Sequence, residues 1–412
     1  MNHRIPLGAF GAAIAVSLAF GALAQTQQVK PPVAVYWMSV ETAGGMGFDI
    51  PPGMGALMPQ GMAGGKRIKL DLGSSQVAGG EPRAAHTIPA GLAMGQSLPL
   101  VTPRGERAGR ERDDEEREPD RPRGRVLIYW GCGEQVRAGQ PVILDFAKMN
   151  AQEAGRAFRN INVARARGPS SGRNRSFGDW PNAEDSRAVP GNASLQGDHV
   201  VAGNYSPGIR FAVGERHDFM EAVAFDAVAR TAAGAYAVNW KAVPTATGYF
   251  ASAAGQGESQ NDVVMWASSE IQTMGQTLMD FIAPAEVDRL IREKVVMSPQ
   301  VTECKVPAGI FKGEGAMLNF IAYGDELNLV QPPRPGDPKQ TWEQIWAVKV
   351  RLKSTAMTML SEDDGGRRGR SGATQRGTEN APPAADRAPA SAPTPADAVQ
   401  EGVRSLRRLL PF

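Results

Sequence analysis

Short apolar runs bounded by Gly or Pro recur along most of the chain, and runs of this length rich in β-branched and aromatic residues predict strands. The first group is PVAVYWMSV at 32–40, RIKLDL at 67–72 and the stretch 86–101, interrupted by a Gly- and Met-rich loop at 44–65. The strongest runs follow: RVLIYW at 125–130 and PVILDF at 141–146 predict a buried hairpin or two sandwich strands, with Cys132 in the connection. Strand patterns resume at 208–213, 219–225, 235–240 and 263–269, then at 310–313, 317–324 and 346–354. One segment has helical spacing instead. Pro284 stands in a first turn, Glu286 and Asp288 come early, Arg292 and Lys294 late, and Val287, Leu290 and Ile291 share a face, which predicts a packed helix near 284–295.

Other stretches lack the pattern. Residues 104–125 carry eight Arg and eight Asp or Glu and no aliphatic or aromatic side chain, which predicts a solvated linker or loop. Residues 149–199 read as an irregular connection, with Trp180 isolated before Pro181; Asn192-Ala193-Ser194 matches a glycosylation acceptor, to which no role is assigned. From 361 to 397 there is no Val, Ile, Leu, Met or aromatic residue, so a disordered tail is expected. Beyond it, Val399, Val403, Leu406 and Leu410 fall on one helical face with Arg404, Arg407 and Arg408 between them, a basic amphipathic helix over 398–410.

The N-terminus has a different character. Arg4, an apolar run and the closing Ala22-Leu23-Ala24 form the pattern of a secretory signal peptide over 1–24, cleaved after Ala24; an uncleaved membrane anchor is the alternative. Localisation is therefore expected to be periplasmic or secreted. The expected fold is mainly β: two sandwich-like domains at 30–148 and 200–360, one packed helix, long loops and a disordered C-terminal tail. Composition agrees, since 47 Gly and 31 Pro in 412 residues favour turn-dense β structure. The formal charge of +2 excludes the strong basic field of a nucleic-acid binder, so no nucleic-acid partner is expected. Cys132 and Cys304 are the two cysteines, and an oxidising compartment favours a disulfide between them.

WKAVPTATGY at 240–249, flanked by the strands AYAVN and FASA, resembles the fibronectin type III domain. The resemblance implies that Trp240 and Tyr249 pack a sandwich core and that 263–269 supplies a later strand. It also implies a binding or spacer module rather than a catalyst.

Candidate chemistry is sparse. His86, His199 and His217 are widely spaced and form no short-range metal pair, so no cofactor is expected. Arg216-His217-Asp218 invites an acid/base reading, but neighbours on a strand point to opposite faces. Cys132 between two glycines is either a reactive thiol or half of the disulfide. Met54, Met58 and Met62, with Met46 upstream, are soft ligands that would suit Cu(I). Trp342 and Trp346 are candidates for an aromatic platform on which a glycan or peptide stacks. The sequence thus favours an exported, non-catalytic binding or envelope-associated structural protein; the alternatives are an envelope hydrolase with a dispersed site and a Met-loop copper binder. Partners in the first reading are an envelope glycan or protein, with peripheral membrane contact through the C-terminal helix.

Overall fold

Successive side chains along each strand point to opposite faces of its sheet, which sets which of them face inward. The computed structural model describes residues 27–45, 64–103, 124–146, 148–149, 162–259, 261–273 and 275–361. The signal segment, the methionine loop, most of the charged stretch 104–125, the tail beyond 361 and the basic helix at 398–410 lie outside the described residues. In chain order the strands begin with β1 (Val29–Lys30), β2 (Ala34–Ala43), β3 (Gly65–Ser74), β4 (Ala84–Thr87), β5 (Ser97–Leu100) and β6 (Arg125–Trp130). They continue with β7 (Val142–Asp145), β8 (Ser176–Trp180), β9 (Gly197–Gly203), β10 (Ser206–Val213), β11 (Phe225–Arg230) and β12 (Tyr236–Trp240). The remainder are β13 (Gly248–Gln256), β14 (Asp262–Ala267), β15 (Glu303–Val306), β16 (Lys312–Gln331), β17 (Trp342–Glu343) and β18 (Trp346–Leu360). The predicted helix is present as α1 (Pro284–Arg292).

Nine strands form one large sheet in the order β7-β6-β14-β13-β16-β18-β2-β3-β8. Its inner face is covered by an antiparallel four-stranded sheet, β10-β9-β4-β5, and by a three-stranded sheet, β11-β12-β15. Tyr36, Met38, Leu70, Leu72, Phe320 and Val350 from the large sheet bury themselves against Leu98, Val201, Phe211 and Trp240 from the two smaller ones. The described residues are thus mainly β, built of stacked sheets with one α-helix among them, as the pattern predicts.

Strand pairing joins the two stretches that the sequence divides. β18 runs parallel to β2, and β14 runs parallel to β6, so residues from 30–148 and from 200–360 share the large sheet. The second pairing carries its own register mark: Arg125 lies opposite Asp262 and donates to it from Nε at 2.9 Å and Nη2 at 2.5 Å, with Asp262 buried. Residues 149–199, read as irregular, contribute β8 at the edge of the large sheet and the start of β9. The run 219–225 enters a strand only at Phe225.

At the β8 edge the large sheet continues into the four-stranded one. Val101 bridges Asp179, and the Thr102 hydroxyl donates to the Phe177 carbonyl at 2.7 Å. Gly178 sits in this corner because a Cβ would stand 2.5 Å from the Tyr205 hydroxyl and 2.8 Å from the Leu100 carbonyl oxygen. Gly178→Ala is therefore expected to destabilise the fold by about 1–3 kcal/mol through overpacking, read as a lower urea midpoint at unchanged slope. At the other end, Cys132 in the β6–β7 connection is bonded to Cys304 on β15, with Cα atoms 5.1 Å apart. Backbone bonds from Gly133 N to Lys305 O at 2.8 Å and from Ala308 N to Glu134 O at 3.0 Å lie alongside, so the three-stranded sheet is fastened to the end of β6.

The outer face of the large sheet carries α1. Val287 and Leu290 bury against Phe250, Ile321 and Tyr323, and Pro284 occupies a first-turn position where its missing N–H costs nothing. Glu286 pairs with Arg289 and also accepts from the Ala164 amide at 2.8 Å, which ties the segment 162–168 across this face. Trp240 on β12 and Tyr249 on β13 meet edge to face, ring centroids 5.6 Å apart, both buried between the three-stranded and large sheets. The packing role that the fibronectin type III resemblance gives them is present. The sheet around Tyr249 is mixed and nine-stranded, whereas that family's sheets are antiparallel and smaller.

Candidate functional site on the outer face

On β18 the sequence Val348 to Lys353 alternates: Val348, Val350 and Leu352 point into the core, and Lys349, Arg351 and Lys353 point to the outer face. The parallel register sets Trp37, Ser39 and Glu41 of β2 directly opposite these three cations, and the next strand sets Asp71, Lys69 and Arg67 opposite those in turn. A grid of polar and aromatic side chains results.

Within it Arg351 is treated differently from its neighbours. Its Nε–H donates to the Ser39 hydroxyl at 2.8 Å, and its guanidinium carbon lies over the Trp37 ring at 4.7 Å and over the Phe281 ring at 4.4 Å. Glu326, its partner across β16, is bonded instead to Lys349. Lys353 lies 3.7 Å from Glu41, Lys69 2.9 Å from Asp71, and Arg165 3.9 Å from Asp280. Of these five cations only Arg351 has no carboxylate within ion-pair distance among the described residues. Burial pushes its pKa below the ordinary arginine value, with Asp280, Asp71 and Glu326 acting the other way from a distance. It remains charged, because guanidinium does not lose its proton in proteins.

The walls of the site are fixed by the chain around it. Trp37 is only 6% exposed although it faces outward, because Gly168 lies on it: a Cβ there would stand 2.7 Å from the indole Cε3. Arg165 donates to the Thr277 carbonyl at 2.5 Å, which fastens the 162–168 segment to the loop that presents Phe281. The arrangement can hold a planar cation rigidly and offer its two terminal nitrogens to an acceptor.

A second cluster lies between the sheets. Tyr36, His86 and His199 are fully buried; the Tyr36 hydroxyl is 2.9 Å from His86 Nδ1, and His86 Nε2 is 2.9 Å from His199 Nδ1. His199 Nε2 is 2.7 Å from the Leu195 carbonyl oxygen. A carbonyl only accepts, so His199 carries its proton on Nε2, His86 donates from Nε2, and Tyr36 donates to His86 Nδ1. All three groups are neutral and each of these ring nitrogens has a partner. Burial is the first cause in each case: it lowers the pKa of both histidines and raises that of Tyr36. His86 and His199 are far apart in sequence and give no local spacing signal. The available clue is that each is an inward position on a short strand among apolar neighbours.

The residues singled out from sequence fall in separate places. His217 ends a 3-10 turn, Glu215–His217, with Nε2 3.9 Å from Asp325. Asp218 accepts from the Leu195 and Phe219 amides, each at 2.7 Å, and from the Ser194 hydroxyl at 2.6 Å; these bonds hold its carboxyl below the usual range against the opposing pull of burial. Cys132 is in the disulfide. Trp342 lies on β17, which pairs with β1, and its indole N–H donates to the Pro332 carbonyl at 2.9 Å; Trp346 opens β18 and packs against the main core. Met54, Met58 and Met62 lie outside the described residues. Among the described residues no group of His, Cys, Asp or Glu is placed to hold a metal ion, and no helix is long and apolar enough to cross a membrane. Comparison of the chain with protein families, with characterised proteins and with solved structures finds no match.

Proposed function

We propose that this is an exported, non-catalytic binding protein whose working surface is the outer face of the large sheet around Trp37, Phe281 and Arg351. The observation that carries this reading is Arg351 itself: a half-buried cation held on two aromatic rings and one serine, beside four cations that each have a carboxylate. Proteins desolvate an unpaired charge at a cost, and such a charge is retained where a partner completes it. His86, His199 and Asp218 are each engaged in contacts that hold the fold together, which supports a binding role over a hydrolytic one. The disulfide supports export, since structural disulfides persist in oxidising compartments. The fibronectin type III resemblance at Trp240 to Tyr249 points to the same class of module. Bacterial expression of the full chain should yield a periplasmic form beginning at Gln25. Envelope-glycan and peptide arrays probed with that form should give signals that fall at least tenfold in Arg351→Gln. Equal signals from the two proteins would remove this face as the working surface.

A further inference from the structure

We propose that Arg351 is a receptor for a terminal oxyanion, a carboxylate or phosphate group on the ligand of the outer face; this rests on the binding reading above and names the chemistry it recognises. The guanidinium has five N–H donors, and among the described residues only the Nε–H is used, by Ser39. Neither Nη1 nor Nη2 meets an acceptor among the described residues. Arg351 as a whole is half-buried, and neither nitrogen is among the fully buried polar atoms that lack a partner. With Nε tied to Ser39, the edge left free is the Nη1–Nη2 fork. Two parallel N–H bonds from that edge match the two oxygens of a carboxylate or a phosphate, and the match is geometric as well as electrostatic.

The surroundings favour an anion from outside over one from the chain. Glu326, directly across the register, is captured by Lys349; Glu41 is held by Lys353 and by Arg67 at 3.5 Å; Asp71 is held by Lys69. The ring faces of Trp37 and Phe281 fix the plane of the guanidinium and lower the local dielectric, which strengthens a charge-assisted bond made there. Lys349 also lies 5.7 Å from the centre of the Trp37 ring, and Lys353 4.7 Å from that of Phe281, each already paired with a carboxylate of its own. A neutral glycan could accept hydrogen bonds from the fork but would leave its charge unbalanced. A sugar acid, a free peptide carboxylate or a phosphorylated group would complete it.

The test is a titration of the disulfide-intact protein with sodium phosphate and, separately, sodium acetate at constant ionic strength made up with chloride, following the Arg351 Nε–H and Trp37 indole N–H resonances. Saturable shifts with a millimolar midpoint are expected in at least one arm. The arm with the tighter midpoint tells a phosphate-bearing from a carboxylate-bearing ligand. Arg351→Gln should abolish the response, and Arg83→Gln, which removes an exposed ion pair with Glu81 elsewhere, should keep it. Linear, chloride-like drift of the wild-type signals in both arms would overturn the proposal even if Arg351→Gln failed to fold. Array binding that depends on Arg351 alongside such drift would leave the binding reading standing and reject the oxyanion alone.

Discussion

Replacing Cys132 and Cys304 together by alanine is expected to lower the unfolding free energy by about 5 kcal/mol. The bond closes a separation of 172 residues. Chain-entropy arguments assign a closure of that length roughly 5 kcal/mol, most of it from restricting the unfolded chain. The native contacts give the bond a second role. Cys304 is buried on β15, and the adjoining bonds Gly133 N to Lys305 O and Ala308 N to Glu134 O share its location. Without the covalent link, the three-stranded sheet keeps its apolar contacts through Trp240 and Val306 and loses the anchor at its β15 edge. Urea unfolding of the double variant against the oxidised wild type measures the loss. A difference under ~1 kcal/mol would show that the closure entropy is offset elsewhere and that the bond is dispensable to the fold.

Acid should destabilise the protein well before its carboxylates titrate. The folded state lowers the pKa of His86 and His199, by burial in both cases, with His199 further disfavouring charge on His86. In the unfolded chain both return to about 6.5. Between the folded and unfolded values the unfolded state binds more protons, so stability falls as pH falls through 6.5 and below. Two such groups give a slope approaching ~2.7 kcal/mol per pH unit. His217, lowered first by partial burial, adds in the same direction. The hydrogen-bond chain supplies the molecular reason: a second proton on His199 would set N–H against N–H across the 2.9 Å contact with His86. Asp185, Asp218, Asp262 and Glu286 are held below their ordinary values, so their contribution is lost only in a lower window, near pH 4 and under. Unfolding free energies at pH 7.5 and 5.5 test the slope. His86→Gln should cut it by about half whatever it does to stability at pH 7.5, and a wild type equally stable at both values would exclude the histidines as the acid-sensitive element.

The sequence by itself determined most of the strand content. Along β18 polar and buried apolar positions alternate over enough residues to mark both the element and its inward side, while β2, β6 and β14 are legible as strands from short β-branched and aromatic runs. The α1 segment announced itself by a Pro start, charge order and an apolar face, because all three act within a few residues of one another. The Trp240–Tyr249 contact was legible for the same reason, being set by one short connection. β8 was not: SFGDW offers one glycine and two polar positions among five, and what makes it a strand is the edge of β3 and the corner with β5, remote in sequence.

On the outer face and between the sheets, the tertiary structure alone decided which side chains meet. Lys349, Arg351 and Lys353 are equivalent in the sequence, three outward cations on one strand. Only the register of β18 against β2 and β16 hands Glu326 and Glu41 to the lysines and leaves Arg351 with Ser39 and two rings. His86 and His199 likewise gain each other through the β4–β9 pairing, across 113 positions. Local side-chain chemistry fixes which face a residue occupies. Its neighbours on that face come from non-local hydrogen bonding between strands, and a one-residue shift in register would exchange every one of them.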